Sequence, residues 1–222
     1  PWWNAKTDPA LDVRFNRIKA KLIGYIEDPD ETLRLYPETD HSVPAMYARA
    51  YAWHRAAYPD KALAAVDKLV ATAPHDPYFL ELKGQILLES GKPKDAVPIL
   101  REAVQQAPDQ PLIAALFGHA LIETEDAQNF AEAKTVLKAA VARDNEDPFA
   151  WYQLGMVYAR EGDQGRAALA TAERYSLEGD AKLALVNARL ALAGIPAGTP
   201  DWIRAQDIAM VSENAMAKKK KG

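Results

Sequence analysis

The sequence predicts an all-α fold, a right-handed α-α superhelix of about four helical hairpins with flanking capping helices. Three observations carry this. Apolar-periodic segments recur at a spacing of 34 residues, Gly or Ala returns at fixed places inside each repeat, and Ala dominates the apolar residues while β-branched runs of strand type are hard to find.

The period comes from Pro74 and Pro108, which close two apolar segments 34 residues apart. Aligned on them, units open at Val43, Pro77, Pro111 and Pro148, and the three extra residues of the last step fall in the Glu125–Asn129 turn. The second unit carries Leu80, Gly84, Leu87, Ala96, Leu100, Ala103 and Pro108. The fourth carries Trp151, Leu154, Gly155, Tyr158 and Ala167, a complete W-x2-L-G-x2-Y string. The third gives Ala114, Phe117, Gly118, Leu121, Ala133, Leu137 and Ala140, and the first gives Met46, Ala50, Trp53, Ala62, Val66 and Pro74. This order of large and small residues is the tetratricopeptide-repeat (TPR) pattern.

The pattern has a mechanical reason. Antiparallel helices approach to about 8–10 Å only where side chains are small, and Gly84, Gly118 and Gly155, paired with Ala96, Ala133 and Ala167, are assigned to those crossings. The large residues between them fill the groove of the next hairpin, so each unit needs a neighbour. Turns at Tyr58–Asp60, Ser90–Pro93 and Glu161–Asp163 separate paired helices, with Asp60 and Asp163 as candidate N-caps. Two residues depart from the pattern: Pro98 removes a backbone bond early in its helix, and Lys83 stands where an aliphatic is expected.

The ends are atypical, as solenoid caps must be. Leu11, Phe15, Ile18, Leu22 and Ile26 lie at helical spacing within Asp8–Ile26, followed by a short turn at Thr32–Leu35. Gly179-Asp180 opens a helix to about Ala193, and a last helix runs from about Pro200 to Met216. The expected organisation is a linker and capping helix over 1–42, four units at 43–76, 77–110, 111–147 and 148–178, capping helices over 179–217, and a basic tail over 218–222. Lys218–Lys221 reads as a solvated, disordered tail, the alternative being a contact with an anionic surface.

Composition narrows the function. A net charge of −4 argues against a nucleic-acid partner, and no stretch approaches the ~18 apolar residues of a membrane span. With no cysteine there is no disulfide, thiol nucleophile or Cys-type zinc site. His41, His54, His75 and His119 form no metal-ligand spacing, and phosphate-loop, dinucleotide and nucleophile-elbow motifs are missing. No catalytic residue, metal ligand or cofactor site is therefore assigned. An enzyme would need a convergent polar pocket that the sequence does not supply.

Binding is the remaining role. Projected on the repeat, first-helix positions facing the concave side are Tyr47, Tyr51, His54 and Arg55 in the first unit and Tyr78, Glu81, Gln85 and Glu89 in the second. The third contributes His119 and Glu123, and the fourth Phe149, Tyr152, Met156 and Arg160. Aromatic and Met groups among a few charges suit protein recognition. The curvature of a solenoid accommodates equally an open groove and one covered by a terminal helix or a neighbouring domain.

Strings inside and outside the repeats add a resemblance. Arg17–Gly24, Thr32–Pro37, Pro44–Ala50, Glu81–Gln85 and Trp202–Ile208 together resemble the C-terminal half of bacterial periplasmic zinc metallopeptidases of the HtpX/BepA-like group, over about Leu11 to Ile208. The resemblance implies a scaffold that recruits substrate polypeptides or outer-membrane assembly machinery, or packs on its own protease domain with Trp2 and Trp3 near the junction. It implies a periplasmic setting in envelope protein quality control, with zinc held only by an H-E-x-x-H domain outside this sequence. A free-standing adaptor using the same face is the competing reading.

Overall fold

A computed structural model of the protein describes residues 9–219. The chain divides into two compact units, Pro1–Gln106 and Ala107–Gly222. Among the described residues the first holds α1 (Pro9–Ile26), α2 (Pro29–Leu35), α3 (Val43–Arg55), α4 (Pro59–Thr72), α5 (Pro77–Glu89) and α6 (Pro93–Gln106). The second holds α7 (Pro111–Glu123), α8 (Ala127–Arg143), α9 (Pro148–Arg160), α10 (Gln164–Leu177), α11 (Ala181–Gly194) and α12 (Pro200–Lys219). Trp2, Trp3, Lys220 and Lys221 lie outside the described residues.

Helix starts follow one chemistry. Proline in the first turn gives up an N–H that has no intrahelical partner there, as at α2, α3, α4, α5, α7 and α9. Ahead of it, Asp28, Ser42, Asp76 and Asp147 accept first-turn N–H groups. Asp163 caps α10 as expected, accepting from the Arg166 N–H. Asp60 does not cap: Tyr58 takes the cap position of α4, and Asp60 sits in the first turn, where its charge meets the helix dipole.

In the first unit α3 packs on α4 and α5 on α6. Tyr47, Ala50, Tyr51, Ala62, Val66, Leu69, Phe79, Leu82 and Ile86 form one core cluster. A Cβ at Gly84 would lie 2.4 Å from Leu100, and one at Gly118 in the second unit 2.5 Å from Leu137. Leu100 and Leu137 fill the space that the missing Cβ leaves, and Ala96 and Ala133 on the same facing helices are fully buried. At Gly155 the nearest atom is Ala170 Cβ at 3.5 Å, an ordinary contact. Pro98 is exposed and α6 runs through it. Lys83 reaches Asp67 at 2.8 Å.

The three extra residues of the third unit do not enlarge a turn. The connection before α8 is Thr124–Asp126, and α8 is 17 residues long against 14 for α4, α6 and α10. Asp126 caps at the Gln128 N–H, which starts the helix inside the segment expected to be loop. Two other ends are longer than the sequence suggests: α2 begins at Pro29 behind its Asp28 cap, and α12 reaches Lys219. In this unit α11 packs on both α10 and α12. The approach of α10 to α11 is backbone to backbone, since a Cβ on Gly165 would lie 2.8 Å from Gly194 C and O.

Candidate functional site

The face expected to bind is built differently in the two units. In the first, α1 lies on α3 through Ala20 and Gly24, both buried. A Cβ at Gly24 would meet Ala48 O and Tyr51 Cβ at 2.8 Å, so only glycine lets the helices close this far. Arg17 then donates to both oxygens of Asp76, at 2.6 and 2.5 Å, with its guanidinium 4.2 Å from the Phe79 ring centroid. Asp76 also caps α5 through the Tyr78 and Phe79 N–H groups, so one carboxylate joins α1 to α5. Lys21 reaches Glu81 at 3.3 Å, and Tyr25 meets Tyr51 edge-on at 6.3 Å.

Tyr47 and Tyr51 consequently lie beneath α1, 1% and 3% exposed, with ring centroids 5.4 Å apart. Burial pushes both phenols above the ordinary tyrosine range. Tyr47 donates to the Tyr78 carbonyl at 3.4 Å. His54 and Glu89 meet at 2.9 Å, and Gln85 donates to Glu89 at 2.8 Å. Arg55 is exposed and donates to the Glu27 carbonyl at the end of α1. Of the eight first-unit residues projected onto the face, Tyr47 and Tyr51 are core, and Tyr78 keeps an exposed ring.

In the second unit α9 leaves its ring and thioether groups in solvent: Phe149, Tyr152 and Met156 are 41%, 44% and 46% exposed. His119 stands edge-on to Phe149 at 5.5 Å and 3.5 Å from Glu123, tying α7 to this row. The Arg160 guanidinium lies 4.1 Å over the Phe130 ring, so it clamps α9 to α8. Beside α9, a cleft of about 580 Å³ is lined by Tyr152, Met156, Thr171, Arg174, Asn187 and Leu190. Arg174 lies against the Tyr152 and Tyr175 rings, at 5.2 and 4.3 Å, and 3.4 Å from Glu178.

Sequence reasoning missed the α11 and α10 contributions, Leu183, Val186, Leu190 and Arg174. The signal was available: 34 residues beyond Phe149, Tyr152 and Met156 stand Leu183, Val186 and Leu190, all exposed. Arg189 hid it by occupying the place equivalent to Gly155; it turns outward to Glu213 at 2.7 Å.

Among the described residues no group of three or more His, Asp or Glu could hold a metal ion, and no helix is long and apolar enough to cross a membrane. The arrangement offers surface for contact: an apolar row with arginines beside it.

Comparison with known proteins agrees with this architecture. One tetratricopeptide-repeat family profile matches residues 47–111 and 125–184, and a second matches 87–154. No curated protein matches the sequence. Among solved structures, MamA (residues 41 to the end) from Desulfovibrio magneticus RS-1 is similar with a TM-score of 0.62 and 23% identity, over 75% of this chain and 94% of that one. A MamA RS-1 double mutant gives a TM-score of 0.61 at 22% identity, over 76% and 96% of the two chains. YrrB, a TPR protein with an unusual peptide-binding site, gives 0.59 at 20% identity, over 78% and 90%. With repeat profiles covering more than half of its length and the hairpins packed as described, the chain belongs to the tetratricopeptide repeat family.

Proposed function

We propose that the protein is a non-catalytic scaffold that takes partner polypeptides on the open face of its second unit. Tetratricopeptide repeats imply a protein–protein interaction scaffold, and one observation directs this reading to the second unit: Phe149, Tyr152, Met156, Val186 and Leu190 are all exposed on α9 and α11. Exposed rings and thioethers of this kind bury readily against a partner. Arg174 at the cleft adds a site for a carboxylate. YrrB, of the same fold, has a peptide-binding site. The partner chemistry is thus an apolar segment carrying an acidic residue. Selection of such peptides from a random library, followed by calorimetry, tests this. Tyr152→Ala and Met156→Glu should each weaken binding at least tenfold while Tyr78→Ala leaves it unchanged. The reverse pattern would move the site to the first unit.

The narrower reading makes this scaffold the partner-recruiting region of a periplasmic HtpX/BepA-like zinc metallopeptidase in envelope protein quality control. Its support is the set of strings that carry the resemblance, of which Arg17–Gly24 and Trp202–Ile208 lie outside the repeats, in α1 and α12. Zinc would belong to the separate protease domain. Sequencing the gene upstream of the Pro1 codon distinguishes the readings: an H-E-x-x-H domain behind a signal peptide supports it, and a start codon immediately upstream leaves a free-standing adaptor.

A further inference from the structure

Helix α1 is inverted relative to an ordinary surface helix. Its small residues, Ala20 and Gly24, face the protein, and its large apolar ones face away. Leu11, Phe15, Ile18, Leu22, Tyr25 and Ile26 are 50–65% exposed. Leu11, Phe15, Ile18, Leu22 and Tyr25 follow one another at steps of four, three, four and three, the seam of a two-helix coiled coil. Together the six expose on the order of 600 Å² of apolar surface, the upper end of the largest patch on a typical monomer. A stripe of this size normally marks the side of a helix that is covered.

We infer that this seam is a self-association surface, on which α1 of a second copy lies antiparallel. Two features select a second copy. Pairing two such faces from Phe15 to Ile26 removes about 1,000 Å² from water, which reaches the lower bound of specific interfaces. Charge along the seam is also uneven: Arg14 and Lys19 lie beside it with Asp12 near its start, and Glu27, Asp28 and Asp30 follow its end, all of them exposed. Antiparallel copies with the two-fold axis between Ile18 and Leu22 bring Arg14 of each toward Glu27 of the other, whereas parallel copies set Arg14 and Lys19 beside their own equivalents. An anionic lipid surface would meet those same acidic groups and be repelled. This interface is separate from the partner face of the second unit.

Light scattering behind size-exclusion chromatography on the 222-residue chain tests it. The expected result is a mass twice the 24.4 kDa of the monomer at tens of micromolar, returning to the monomer mass with Leu22→Glu at unchanged helicity. The sequence contains no cysteine, so single introduced cysteines report order: Leu22→Cys should cross-link to itself on mild oxidation and Leu11→Cys should not. A wild-type chain that stays monomeric overturns the proposal, as does binding to anionic vesicles by a monomer. Cross-linking through Leu11→Cys as readily as through Leu22→Cys overturns the antiparallel order.

Discussion

The same repeat position leads to opposite outcomes in the two units. Tyr47 and Tyr51 on α3 are sealed under α1 and belong to the core, while Phe149, Tyr152 and Met156 on α9 stand in solvent. The difference does not lie in the residues, which are aromatic and apolar in both places. It lies in whether the chain supplies a helix with residues small enough to approach. Ala20 and Gly24 allow α1 to reach the α3 backbone, and Arg17 and Lys21 find carboxylates at Asp76 and Glu81. The lesson is that the same first-helix position is closed or open according to whether the chain itself supplies a helix able to approach it.

The largest expected contrast is in stability. Tyr47→Ala empties a fully buried site and should cost about 3–5 kcal/mol. Tyr152→Ala, at a 44% exposed site, should cost under ~0.5 kcal/mol. Urea denaturation of both variants measures this, and equal losses would mean that the second-unit face is also covered.

The clasp between α1 and α5 gives the next effect. Asp76→Ala removes a helix cap and leaves Arg17, partly buried, without its carboxylate. It should destabilise by about 2–4 kcal/mol and raise hydrogen exchange selectively in α1. Exchange that rises uniformly would mean that α1 is not held as a separate element by this pair.

Glycine separates the units a third way. Gly84→Ala forces Leu100 to move and should cost about 1–3 kcal/mol. Gly155→Ala meets only ordinary contacts and gains helix propensity, so it should be neutral or stabilising by up to ~1 kcal/mol. Thermal midpoints of the two variants check the sign.

The smallest effect is alkaline. Burial raises the Tyr47 and Tyr51 phenols above their unfolded value of about 10. Above that pH the unfolded chain has lost these protons and the folded one retains them, so stability is intact below pH ~10 and falls as pH rises past it. Tyr51→Phe should flatten the fall between pH 10 and 11, and an unchanged slope in urea denaturation across that range would mean that this phenol is not sealed from water.

The repeat was legible because packing leaves a periodic trace. Gly84, Gly118, Trp151 and Tyr158 sit where helix crossings and inter-hairpin grooves require them, and α3, α5, α7 and α9 begin at Val43, Pro77, Pro111 and Pro148. Leu183, Val186 and Leu190 share the same step but were masked by Arg189, because an exposed long side chain can replace glycine where no facing leucine intrudes. The three extra residues were misplaced because Asp126 can cap a helix as well as occupy a loop.

The sequence by itself determined the helical hairpins and their small-residue crossings, which depend on side-chain size and order along one helix, and it set out a face expected to carry contacts. Only the tertiary structure decided which part of that face is open. The docking of α1 rests on a backbone approach at Gly24 and on Arg17–Asp76 and Lys21–Glu81 pairs spanning 59 and 60 residues. Such long-range complementarity has no period for a sequence pattern to reveal.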